Sequence, residues 1–291
     1  MKSKKFIIFG SPLIKSEEIG EVIDSMKTGW LGTGAKVNRF ERLFFSYKKT
    51  KYAIAVNSCT AALHLSLLAL KLKPQDEVIT SSMTFCSTIN AIIHAGVKPV
   101  LADIDPATMN IDPNDLNKKI TNKTRCILPV HFAGRICDMD SILKIAKKHN
   151  LKIIEDCAHA IESEHHGVKA GNFGDFGCFS FYSTKNVVTG EGGMVITKER
   201  ENAKKIKTLA LHGLSKDAWE RYNDKGFQHY FVEQAGFKYN MMDIQAAIGI
   251  HQLNRVKKNW MKRKKIWDMY QKAFVDLNIV LPQNPSENTK H

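Results

Sequence analysis

Nowhere in this 291-residue chain do apolar residues run on for the roughly 18 positions that a membrane-spanning helix needs. The opening "MKSKKFIIFG" has a basic flank but only four apolar residues before Gly10, too few for a secretory signal core. The expectation is a cytoplasmic protein with no membrane contact. Cysteine is sparse: Cys59, Cys86, Cys126, Cys137, Cys157 and Cys178 form no CxxC pair. That argues against a zinc site and a disulfide framework, and no metal is expected. Several of these thiols sit in apolar, strand-like contexts, where cysteine packs as a small hydrophobe. Internal repeats and low-complexity tracts are also missing.

Charge of one sign is present in excess, with 43 Lys and Arg against 29 Asp and Glu, a formal +14. The basic residues are scattered rather than gathered into an arm or stripe, so no nucleic-acid partner is expected. Most of the excess reads as solvated helix faces, and some of it suits a phosphorylated substrate. The hydrophobic content of 43% is ordinary for a soluble globular protein.

Short β-branched runs alternate with stretches of helical period. The strand candidates are "YAIAV" (52–56), "EVITSS" (77–82), "KPVLAD" (98–103), "RCILPV" (125–130), "LKIIED" (151–156), "FGCFSF" (176–181) and "GMVIT" (193–197). Helical segments such as "TAALHLSLLALKL" and "MDSILKIAKKHN" lie between several of them, so the connections are mostly crossovers. The expected fold is α/β: a seven-stranded, mostly parallel sheet in a three-layer αβα arrangement, with the last two strands close enough to be antiparallel. A long basic helix follows, and "VDLNIVLPQNPSENTKH" reads as one strand of a further unit. The expected division is a large domain over residues 1–245 and an incomplete small domain over 246–291.

Four strand ends carry groups with chemical potential. In "NSCTAALH", Ser58, Cys59 and Thr60 open a helix whose free N–H groups form a candidate anion site, although for this stretch alone ordinary capping by Ser58 or Thr60 is the favoured reading. In "SMTFCST", Phe85 could cover a flat ring, but an isolated Phe more often joins the core. In "IIEDCAHA", one of Glu155 and Asp156 should face the crevice at the carboxyl end of a buried strand, with His159 beside it. In "FSFYSTKNVVTGEGGMVIT", Lys185 stands among Ser180, Ser183, Thr184 and Asn186. A planar, phosphorylated, imine-forming cofactor needs a phosphate cradle, an aromatic, a carboxylate and a lysine together. Pyridoxal 5'-phosphate fits.

The blocks "GWLGTGAKVNRFE", "NSCTAALH", "SMTFCSTINAI", "EDCAHA", "FSFYSTKNVVTGEGGMV" and "GFKYNMMDIQAAIG" resemble, in order, the signatures of the DegT/DnrJ/EryC1/StrS-type nucleotide-sugar aminotransferases, enzymes of the type I, aspartate aminotransferase fold. The resemblance implies a role for each matching residue. Lys185 resembles the Schiff-base lysine and the general base, and Asp156 the partner of the pyridine nitrogen. His159 stands where the family has Gln or His beside the cofactor's phenolic oxygen, and Phe85 matches the ring-stacking aromatic. Thr60, the backbone N–H of Ala61, and Ser180 match phosphate ligands, with Ser58 at the start of the same cradle. Asn240 resembles a residue that reaches the phosphate of the other subunit's cofactor, which implies a homodimer with shared active sites.

The implied reaction takes an amino group from glutamate and places it on the keto carbon, C4 by the finer resemblance of "HGLSKDAWERY", of a nucleotide-linked sugar. Related sugar dehydratases carry histidine where Lys185 stands, so the lysine argues for transamination. Family members continue past the end of this chain, so a truncated small domain is expected. The alternative is a non-catalytic or regulatory cofactor-binding protein of the same fold.

Overall fold

The computed structural model describes residues 8–214 and 231–291. The first seven residues and most of "HGLSKDAWERY" lie outside the described residues. The seven strand candidates form β1 (Tyr52–Val56), β2 (Glu77–Ser81), β3 (Lys98–Ala102), β4 (Thr124–Leu128), β5 (Lys152–Asp156), β8 (Phe176–Ser180) and β9 (Gly193–Thr197). They form one sheet in the order β1-β9-β8-β5-β4-β2-β3. β2 pairs in parallel with β3 and β4, and β4–β5 and β5–β8 are parallel as well. β9 runs antiparallel to both β8 and β1; the 12-residue link from β8 to β9 holds no helix to carry a parallel crossover. A separate small sheet holds β6 (Glu164–His165) between β7 (Val168–Lys169) and β10 (Thr289–Lys290).

Strand alternation divides the core into two layers. Ile79, Ile127, Ile153 and Phe179 face one side, where α2 (Ala35–Lys48), α6 (Met139–His149) and α8 (Asp243–Ala273) cover them. Val78, Cys126, Ile154 and Cys178 face the other, against α3 (Cys59–Ala69), α4 (Cys86–His94) and α7 (Arg200–Ala210). Asp156 and Ser180, each two residues beyond a member of this second set, therefore lie on the α3–α4 face. α1 (Ser16–Thr28) packs on α8, and α5 (Pro113–Lys119) leads into β4.

The expected boundary between residues 245 and 246 falls inside α8. The helix's first turns are buried as far as Val256 and belong to the core, whereas Met261, Ile266, Met269 and Tyr270 farther along are exposed. The strand expected in "VDLNIVL" is not formed: those residues are turn or irregular, with Val280 98% exposed, and only Thr289–Lys290 pair, with β6. An isolated apolar run with no sheet edge beside it gains no ladder hydrogen bonds. All six cysteines are free thiols, five of them buried. No helix among the described residues is long and apolar enough to cross a membrane.

One ionisable side chain is sealed in the α2 layer. Lys48 is fully buried, its Nζ donating to the Ile161 carbonyl at 3.1 Å and lying 4.7 Å from the centre of the Phe179 ring. Burial pushes its pKa down from 10.5 to about 8. Below pH 8 the amine is charged in both the folded and unfolded states, and its desolvation weighs fully against folding. Between pH 8 and 10.5 the unfolded chain keeps the proton that the folded chain has released, so stability rises with pH, by about 3 kcal/mol from this group. Lys48→Met is expected to remove that rise. Urea denaturation of both proteins at pH 7.5 and pH 10 checks it, and equal pH slopes would refute the assignment.

Candidate active site

Strand β1 hands over to α3 through Ser58, an extended N-cap whose Oγ accepts the Ala61 N–H at 3.0 Å. The capping reading of Ser58 is therefore realised, and in this geometry the Ala61 N–H is already engaged. Among the described residues, the N–H groups of Cys59 and Thr60 find no acceptor. They lie at the positive end of a buried helix, where an anion is stabilised. Gly193, at the start of β9, is packed so closely that a Cβ there would overlap the Ser58 carbonyl and the Cys59 nitrogen.

On β5 the two neighbouring acids go opposite ways. Glu155 accepts N–H groups from Gly171 at 2.7 Å and from Phe173 and Gly174 at 2.8 Å, and its Oε2 lies 3.0 Å from His131 Nε2. The Cys137 N–H donates to His131 Nδ1, which leaves the ring proton on Nε2, facing Glu155. Asp156 is the acid on the α3–α4 face. Its Oδ2 accepts the Thr88 hydroxyl at 2.9 Å and its Oδ1 the Ala158 N–H at 3.1 Å.

Phe85 departs from the core expectation for an isolated Phe. As the extended N-cap of α4 it stands beyond the sheet's end and is 76% exposed, while the buried face of the helix begins at Thr88. An exposed ring at that position is available to cover a flat ligand.

Lys185 is half-buried in the loop between β8 and β9, its N–H donating to the Tyr182 carbonyl at 2.9 Å. It opens, with Ser180, His159 and Asn186, into a cavity of about 950 Å³ whose far wall includes Trp260, Arg263 and Trp267 of α8. Burial lowers the Lys185 pKa below the usual lysine value, against the opposing pull of Cys59 and the Asp156 carboxylate. Desolvation likewise lowers the pKa of His159, and the nearby Lys185 charge adds to the effect. Both shifts favour neutral, nucleophilic or proton-accepting forms.

Asn240 lies elsewhere. Its Nδ2 donates to Thr33 Oγ1 at 2.7 Å, and its Oδ1 is buried with no partner among the described residues. It opens into a second cavity of about 1200 Å³ lined by Trp30, Gly34, Arg200 and Lys238 among others. Thus α3, β5, β8 and the β8–β9 loop gather Thr60, Asp156, Ser180 and Lys185 at one end of the sheet, with His159 at the cavity mouth, whereas Asn240 faces a different space. Sequence reasoning missed Thr88, Gly193 and the tryptophans. Thr88, one turn after Phe85 in "TFCST", was the readable one.

An unpartnered helix N-terminus, an exposed aromatic, a hydrogen-bonded carboxylate and a desolvated lysine fit a phosphorylated pyridine aldehyde. That set suits a pyridoxal-phosphate enzyme of the type I α/β class. The chain belongs to the DegT/DnrJ/EryC1/StrS aminotransferase family, whose model matches residues 12–291. It is 50% identical, over all of its length and 75% of the relative's, to the spore coat polysaccharide biosynthesis protein SpsC of Bacillus subtilis. It is 39% identical to GDP-perosamine synthase of Caulobacter vibrioides, covering 93% of this chain and 71% of that one. Among solved structures, the PMP form of the sugar aminotransferase homologue Spr1654 from Streptococcus pneumoniae superposes with a TM-score of 0.91 at 35% identity, covering 98% of this chain and 76% of that one. The same protein has been solved in its PLP form. The chain thus spans about three quarters of the length of these relatives.

The close approach at Gly193 makes the cradle testable. Gly193→Ala is expected to push α3 away from β9, destabilise the protein by about 1–3 kcal/mol and weaken binding of both inorganic phosphate and pyridoxal phosphate. Thermal denaturation and a fluorescence titration measure the two effects. Parent-like binding would show that the cradle tolerates the displacement.

Proposed function

We propose that this chain moves an amino group from glutamate to the keto carbon, C4 in the reading favoured here, of a nucleotide-linked sugar, with Lys185 as the covalent anchor of pyridoxal phosphate. The observation that carries the proposal is the placement of a desolvated Lys185 in one cavity with Ser180 and His159, within the field of Asp156. The names of the sugar-modifying relatives support the substrate class.

When bound, pyridoxal phosphate supplies an aldehyde that condenses with amines and a ring that takes up the electron pair left when a carbon beside the nitrogen loses a proton. The α3 N–H groups of Cys59 and Thr60, with the Thr60 and Ser180 hydroxyls, would hold its phosphate. Phe85 would cover one ring face. Asp156, oriented by the Thr88 and Ala158 donors, would hold a proton on the ring nitrogen. Lys185 Nζ, its pKa lowered by desolvation, would both anchor the aldehyde carbon and, when released, carry a proton between substrate and coenzyme carbons. His159 would donate to the ring oxygen.

Asn240, facing the second cavity, would serve a neighbouring copy's phosphate through the Nδ2–H not given to Thr33, making the functional unit a homodimer. Mixing Lys185→Ala with Asn240→Ala chains tests this. Each variant alone should be impaired, and mixed dimers should regain activity at the one site that keeps both residues. Failure of mixing to restore any activity would count against shared sites.

The main test is an absorption spectrum with pyridoxal phosphate before and after glutamate. The parent should show the visible band of lysine-bound coenzyme and lose it on adding glutamate, and Lys185→Ala should show no such band. A band that survives glutamate and every keto-sugar nucleotide offered would favour a coenzyme-binding protein without transferase activity.

A further inference from the structure

The carboxylate of Asp156 does not stand alone. Thr88, fully buried in the first turn of α4, gives its hydroxyl to Asp156 Oδ2 at 2.9 Å, and Thr84 Oγ1 lies 2.7 Å from Thr88 Oγ1. A carboxylate only accepts, so the single proton of Thr88 points to Asp156 and Thr84 must donate to Thr88. The direction of this hydroxyl chain is therefore fixed. With Ala158 N–H on Oδ1, each carboxylate oxygen has one donor, and the plane of the group is set while a lone pair on each oxygen stays free.

The chain of hydroxyls spans Phe85. Thr84 precedes it, and the Thr88 N–H donates to the Phe85 carbonyl at 3.1 Å. One turn of backbone thus carries the exposed ring and the donor that orients the acid. We infer that Thr84 and Thr88 form a positioning clasp that sets the Asp156 carboxylate against the pyridine nitrogen and ties its placement to that of the Phe85 ring. This rests on the reading of Asp156 as the partner of that nitrogen. Thr84 and Thr88 are positioning residues, since they act through Asp156. The other titratable groups facing Asp156 are Lys185 from the β8–β9 loop, Cys59 from α3, Cys178 from β8 and His159 from the segment after β5.

The test compares Thr88→Val, Thr88→Ser, Thr84→Val and Asp156→Asn with the parent. Three quantities are read: the dissociation constant of pyridoxal phosphate, the pH midpoint of the bound coenzyme's visible band, and the melting temperature without coenzyme. A hydroxyl donated to a charged group is worth enough that Thr88→Val should weaken coenzyme binding roughly 10-fold or more. It should also move the pH midpoint in the same direction as Asp156→Asn, by less. Thr88→Ser, which keeps the donor, should restore both, and Thr84→Val should give a smaller shift of the same sign. A role in stability alone would lower the melting temperature and leave the midpoint in place, which overturns the inference. Parent-like binding and midpoint in Thr88→Val, beside an altered Asp156→Asn, overturns the clasp and spares the reading of Asp156. If Asp156→Asn is itself unchanged, that reading falls and the clasp with it. Should Thr88→Val fail to fold, Thr84→Val decides: an unmoved midpoint there overturns the inference.

Discussion

A carboxylate buried at the centre of an α/β sheet must find donors or disrupt the fold, and Glu155 on β5 is such a group. Three backbone N–H groups, from Gly171, Phe173 and Gly174, and the His131 ring surround it. Leaving such a charge unpaired costs several kcal/mol, so the 171–174 turn is held where it can feed β8 in beside β5. The close approach of Gly177 to the Gly171 backbone, which leaves no room for a Cβ, belongs to the same junction. Because side chains alternate along a strand, turning Glu155 toward one layer commits Asp156 to the other. The structural acid thus fixes the direction of the chemical one.

Desolvation lowers the pKa of Lys48, Lys169, Lys185 and Lys290, and for Lys48 and Lys185 it has different meanings. Lys48 is sealed, its amine spent on the Ile161 carbonyl and the Phe179 ring. Lys185 is half-exposed and opens into a cavity with Ser180 and His159. Burial lowers both pKa values, so a depressed pKa alone does not mark a reactive amine. The access of Lys185 to a cavity, and the acid near it, separate the two cases.

Much of this was readable without coordinates. The seven strands declared themselves because β-branched runs bounded by turn residues have few other fates inside a sheet covered on both faces. The roles proposed for Lys185 and Asp156 came from ordered motifs, one ending β5 and the other running from the adjoining β8 into the loop after it. Other features depend on tertiary context that no local pattern carries. Phe85 looked like core when taken alone, since its exposure follows from its N-cap position past the end of the sheet. "VDLNIVL" looked like a strand because its residues favour one, but a strand needs an edge to join. Which of Glu155 and Asp156 faces the crevice could not be read from the pair itself, because it depends on donors some 16 to 19 residues away.

The two key groups of the candidate site sit on different kinds of support. Asp156 ends a strand and is gripped from both sides, by Thr88 and by the Ala158 N–H. Lys185 rides on a loop closed on itself by Phe181–Gly192 and Thr189–Phe181 backbone bonds at 2.8 Å. A group that only has to hold a proton in one place benefits from a rigid strand end, where small errors in position are suppressed. A group that must anchor a coenzyme and then let go of it needs room to swing. A loop pinned at its base, with Lys185 on the wall of a cavity, would give the amine that room without loosening the sheet beneath it.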